Sequence, residues 1–71
     1  MKPLLYREVK RKLEAAGFVE AGRKGSHIKF AKTTSAGTLT AIVPCHQTVA
    51  AGTLRSIIRQ AGLTQAEFER L

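Results

Sequence analysis

The segment Arg23-Lys24-Gly25-Ser26-His27-Ile28-Lys29-Phe30 gathers the groups of this chain best suited to chemistry. It sets one imidazole among three cations and beside a glycine. A histidine ordinarily titrates near about pH 6.5, so it can give or take a proton at cellular pH. RNA carries its own nucleophile, the 2′-hydroxyl. Cleaving it calls for a base to remove that proton, an acid for the leaving oxygen, and positive charge for the phosphorane. His27 is the candidate base or acid, and Arg23, Lys24 and Lys29 are the candidate source of charge. Gly25 lets a phosphate come close to the backbone, and Ser26 stands beside it. The scheme requires no metal and no cofactor. The same residues also fit a half-exposed strand histidine behind a solvated hairpin, and the segment alone leaves both readings open.

Two other places hold reactive or charged side chains. Cys45 and His46 are adjacent, and adjacent residues seldom converge as a nucleophile and its base. A zinc site would need further ligands at suitable spacing, and the sequence lacks them. Cys45 therefore reads as a small, partly buried apolar residue. His46 follows a strand end and reads either as a capping or packing residue or as a supporting residue near RNA. Arg55 and Arg59 share one side of a helical stretch. They read either as snorkelling side chains or as a clamp on a phosphate strand or acidic partner.

The elements that must position these groups follow from periodicity. From Pro3 to Ala16, the residues Leu5, Val9, Leu13 and Ala16 make one apolar helical face. Pro3 suits the first turn, and Glu8–Lys12 and Lys10–Glu14 are the expected i,i+4 pairs. Gly17-Phe18 is a stop signal, with Phe18 folding back on Leu13. Phe18 to Arg23 is a first strand. Gly22 and Gly25 bracket Arg23 and Lys24 in an expected tight turn. Ser26 to Ala31 is a second strand, with Ile28 and Phe30 on one face and His27 and Lys29 on the other. Lys32 to Gly37 reads as a polar loop, Leu39 to Val43 as a third strand ended by Pro44, and Pro44 to Ala51 as a loop. Leu54, Ile57, Ile58 and Ala61 mark a second helix, capped by Gly52 or Thr53 and stopped at Gly62-Leu63. Thr64 and Glu67 make a capping box for a short terminal helix, Gln65 to Leu71, with Leu63 and Phe68 at the staple positions. The fold class is α+β: a two-layer sandwich in which both helices cover one face of an antiparallel sheet, leaving His27 on the open face.

Length and charge narrow the class further. Seventy-one residues allow one domain, 1–71, with a thin core and little chain to wrap a cofactor cleft. A single cysteine excludes an internal disulfide and a four-thiolate cage. There is no signal-peptide core and no apolar run of membrane-span length, so a cytoplasmic protein with no membrane partner is expected. Twelve Lys and Arg face five Glu, for a net charge of +7. Between Ala21 and Ala66 stand Arg23, Lys24, Lys29, Lys32, Arg55 and Arg59, and no acid. Cations without local partners point to an external polyanion, nucleic acid first and an acidic protein second.

Three blocks occur in order along the chain. They are the helix closing in Ala16-Gly17-Phe18 with Gly25-Ser26-His27 after it, then Val43-Pro44-Cys45-His46, then the run from Gly52-Thr53-Leu54-Arg55 through Ser56-Ile57-Ile58-Arg59-Gln60-Ala61-Gly62-Leu63-Thr64. In these the chain resembles, essentially end to end, the HicA family of small toxins from toxin–antitoxin pairs. Cys45 departs from the bulkier apolar residue common at its position there. The resemblance implies a fold like a double-stranded-RNA-binding domain. It implies an endoribonuclease that cleaves mRNA without a metal, with the family's catalytic histidine at His27. It also implies a HicB-type antitoxin that covers the active face, and a net positive charge suits an acidic partner surface. The alternative is a non-catalytic RNA-binding module of similar fold. Against it, the second helix opens with Thr53-Leu54-Arg55 and lacks the lysine cluster such modules use.

Overall fold

A computed structural model of the chain describes all 71 residues. A two-residue strand β1 (Leu4–Leu5) leads into α1 (Tyr6–Ala15). A meander follows, β2 (Val19–Lys24), β3 (His27–Thr34) and β4 (Gly37–Pro44), and then β5 (Thr48–Val49), α2 (Ala51–Gln60) and α3 (Gln65–Glu69). The long strands form one antiparallel sheet in the order β2-β3-β4, while β1 pairs only with β5. Beneath the added short strands this is the expected α+β arrangement, α-β-β-β-α with a terminal helix, like a double-stranded-RNA-binding domain. No helix is long and apolar enough to cross a membrane.

The first helix starts later than its periodicity predicts. Leu4 and Leu5 are extended because they pair with Val49 and Thr48, and the Tyr6 N–H donates to the Gln47 carbonyl at 3.1 Å. A partner more than forty residues away thus claims the backbone that local pattern assigns to the helix, and Pro3 lies outside it. The two stops form as expected. Phe18 N–H donates to Leu13 O and Gly17 N–H to Glu14 O, while Leu63 N–H and Gly62 N–H repeat the pattern onto Ile58 and Arg59. Those are paired Schellman bonds, with Gly17 at φ +98° and Gly62 at +71°. The expected i,i+4 ion pairs do not form. Glu8 pairs with Arg11 at 3.1 Å and Lys10 with Glu20 at 2.9 Å. Lys12 is drawn instead to the Phe68 and Leu71 carbonyls, each at 3.1 Å, with its ammonium over the Phe68 ring. It thereby fastens the end of α3 to α1.

The first hairpin turns two residues later than expected, and the second is tighter than the loop expected of it. Arg23 and Lys24 belong to β2, and the turn is Gly25-Ser26, with Gly25 at φ +60°. Ala21 is unpaired between Glu20 and Gly22, a bulge that shifts the register of the edge strand. The stretch 32–37 is mostly strand, since β-branched Thr33 and Thr34 extend β3 and Thr38 pairs across from Thr33. Thr34 Oγ1 closes that hairpin onto the Gly37 carbonyl at 2.8 Å. Neither Gly52 nor Thr53 caps α2. Its N-cap is Ala50 without a side-chain bond, because Val49 is held in the β1 ladder directly before it.

Both helices cover one face of the sheet. Val9 and Leu13 of α1, Ile28 and Phe30 of β3, Ala41 and Val43 of β4, and Leu54, Ile57 and Ile58 of α2 join a single buried cluster of 13 apolar residues. No polar or charged residue is buried. The other face of the sheet has no layer over it.

Candidate active site and nucleic-acid interface

His27 opens β3, and its backbone sits between Lys24 of β2 and Pro44 of β4. Side chains of a strand alternate between faces, so burial of Ile28 and Phe30 turns His27 and Lys29 outward, and both are exposed. Directly paired residues share a face. Lys24 therefore stands beside His27, and Lys29 beside Ile42. Arg23 pairs with Ile28, on the face opposite His27, and its Nε donates to the Gly25 carbonyl at 3.1 Å. It braces the turn that precedes the histidine.

These elements bound an open concavity of about 700 Å³, whose lining includes Arg23, Lys24, Gly25, Ser26, His27 and Lys29. All six residues singled out in this segment border this concavity, Arg23 from the turn that it braces and not from the face of His27. Nothing lies within 4 Å of where a Gly25 side chain would start, so its backbone is open on that side. Ile42 completes the wall and is 40% exposed. Local reading did not single it out, although Ala41 and Val43 turned inward leave Ile42 no other face. A half-exposed apolar side chain among cations suits the face of a base.

The remaining candidates lie elsewhere. Arg55 and Arg59 are exposed on α2, in the helical layer, and line no concavity. His46 lines a second hollow of about 400 Å³ together with Leu5, Tyr6, Arg7, Cys45 and Gln47. Cys45 is half-buried there, as expected, and its N–H donates to the Ser26 carbonyl, so the two hollows adjoin. No local pattern marks Tyr6 and Arg7, because their neighbours across the hollow come from the loop between β4 and β5. Burial pushes the Tyr6 phenol above its usual range, with the Cys45 thiolate and Glu20 carboxylate adding to the rise.

The charge around His27 is uncompensated. The two ion pairs, Lys10–Glu20 and Glu8–Arg11, use none of the six cations of the acid-free stretch. Lys32 is partly occupied, with its stem against Gly17 and its ammonium 6.0 Å from the Phe18 ring centroid. No group of three or more His, Cys, Asp or Glu side chains converges anywhere in the chain. What converges is one imidazole, two lysines on its face and a backbone turn open to phosphate.

No curated protein matches the sequence. A family model described as the HicA toxin of bacterial toxin–antitoxin systems matches residues 6–63, from the first residue of α1 to the Schellman closure of α2. With that match over most of the chain, the protein belongs to the HicA toxin family of bacterial toxin–antitoxin systems.

Proposed function

We propose that this toxin is a metal-independent endoribonuclease that cleaves mRNA in the cytoplasm through His27, and that a HicB-type antitoxin inhibits it by covering the same face. The reading rests on one observation above the rest: His27 projects from the uncovered side of the sheet, with Lys24 beside it and Lys29 next along the strand. The His27 imidazole takes the proton of a 2′-hydroxyl. The 2′-oxygen then attacks the adjacent phosphorus, and the bond to the 5′-oxygen breaks. Lys24 and Lys29 offset the charge that builds on the phosphoryl oxygens. The leaving 5′-oxygen takes a proton from solvent or from the imidazolium. The products are a 2′,3′-cyclic phosphate and a 5′-hydroxyl end. Gly25 and Ser26 hold the phosphate against the turn, and Arg23 keeps that turn in shape. Arg55 and Arg59 add positive field on the helical layer for more distant phosphates.

His27→Ala is the test. Its exposed side chain supports no packing, so the fold and the affinity for RNA are retained. Cleavage falls by about 10²–10⁴-fold, the usual worth of a general base. Rates on a labelled transcript in EDTA, with thermal melts of both proteins, measure this. An unchanged rate in the variant defeats the proposal, and intact but gel-shifted RNA with the parent protein favours a binding module instead.

A further inference from the structure

The second hollow has no part in the chemistry above, yet it is built like a binding site. Two segments remote in sequence make it, Leu5 to Arg7 and Cys45 to Gln47. The Tyr6–Gln47 backbone bond and the Leu5–Thr48 pairing hold them together, so the hollow is preformed. Its floor is apolar: Leu5, the Tyr6 ring and Cys45, all half-buried. Its rim is polar: Arg7, His46 and Gln47, all exposed. None of those three side chains makes a hydrogen bond or ion pair within the protein. Their donors and acceptors are free for a ligand. No acid lines the hollow.

A flat, apolar face with a polar edge and an anionic tail is the complement of such a lining, and an unpaired nucleotide has that form. The hollow, at about 400 Å³, has room for one. Its place matters as much as its shape. Cys45 follows Pro44, which pairs with His27, and the Cys45 N–H bonds to Ser26 next to His27. The hollow therefore starts one residue past the strand position that pairs with His27.

We infer that the hollow between Leu5–Arg7 and Cys45–Gln47 is a subsite for one unpaired nucleotide beside the cleavage point, and that it sets a base preference there. Gln47 offers both a donor and an acceptor to the base edge, while Arg7 and His46 hold the attached phosphate or stack on the ring. The inference rests on the ribonuclease reading for its register, though not for the binding itself.

The experiment cleaves a random-sequence single-stranded RNA with the full chain and sequences the new ends. Parent protein, Gln47→Ala and Arg7→Ala are compared, with thermal melts to establish folding. At one position next to the cut the parent favours a base by about tenfold or more. In Gln47→Ala that preference falls below about threefold, and in Arg7→Ala KM rises by about fivefold with a smaller effect on kcat. Folded variants that keep the parental base profile and KM within about twofold overturn the subsite, and weakened antitoxin binding in those same variants reassigns the hollow to a protein contact. A parent that cuts no RNA defeats the ribonuclease reading alone. Fluorescence anisotropy with the four homotrinucleotides then decides the subsite: base-dependent affinity that flattens in Gln47→Ala supports it, and equal affinity for all four overturns it.

Discussion

Tyr6 carries the one buried side-chain polar atom that has no partner. An orphaned hydroxyl costs stability that an apolar group of the same shape does not, so Tyr6→Phe leaves the protein unchanged or up to about 1 kcal/mol more stable. The pH dependence follows the raised phenol. The unfolded chain releases this proton near pH 10 and the folded chain holds it longer, so the folded state binds more protons there. The phenol's contribution is intact below that pH and is lost as pH rises through the folded value. Denaturant melts from pH 9 upward, on the order of two pH units, should show a shallower loss in Tyr6→Phe than in the parent. At this same scale His27 was the easiest residue to place. Ile28 and Phe30 have to be inside, and a period of two then leaves the imidazole outside. Arg23 was the hardest, because the bulge at Ala21 and a turn displaced to Gly25-Ser26 decide which face it joins.

Among the elements, α3 depends on its entry. Thr64 Oγ1 accepts from the Glu67 N–H at 3.1 Å, and Glu67 Oε1 accepts from the Thr64 N–H at 2.8 Å. The Thr64 backbone N–H first, and the Thr64 hydroxyl second, hold the Glu67 carboxyl below its usual range. The unfolded chain takes up that proton near pH 4.5 while the folded chain resists it, so the cap's contribution is present above pH 4.5 and lost as pH falls through the lower folded value. Thr64→Ala removes the hydroxyl half of the box and should cost about 0.5–2 kcal/mol at neutral pH in denaturant melts; the backbone N–H that holds the Glu67 carboxyl stays, so the further loss on acidification shrinks only in part. Capping boxes and glycine stops are local chemistry, and each of these formed where the sequence puts it. The start of α1 and the strand β5 are not local. They exist because Leu4–Leu5 and Thr48–Val49 complete each other's backbone bonds, and neither dipeptide announces the other.

Taken whole, the molecule has a covered face and an open one, and its charge is not evenly used. The lysines beside His27 have no acidic neighbour in ion-pair reach, so an anionic surface that docks there gains both charge neutralisation and shape. RNA and an acidic antitoxin should then compete for one site. In the complex His27 becomes protected, and adding antitoxin lowers RNA affinity, with both associations weakening as salt is raised. Histidine-selective modification of His27 with and without antitoxin measures the first effect, and RNA titration at fixed antitoxin the second. A His27 that reacts equally fast in the complex would refute shared use of the face.

Periodicity, glycine stops and the acid-free stretch determined the number of layers, the buried side of each helix, the outward aim of His27 and the sign of the surface around it. Those properties are set by residues within a turn or a strand of one another. The tertiary structure alone decided the β1–β5 ladder, the pairing of Lys10 with Glu20 and the capture of Lys12 by the C-terminal carbonyls. It also decided that Leu5, Tyr6 and Arg7 would face Cys45, His46 and Gln47 across a hollow. Each of those joins groups far apart in the chain, where the energy of a contact depends on who arrives opposite, and a one-dimensional pattern carries no record of that.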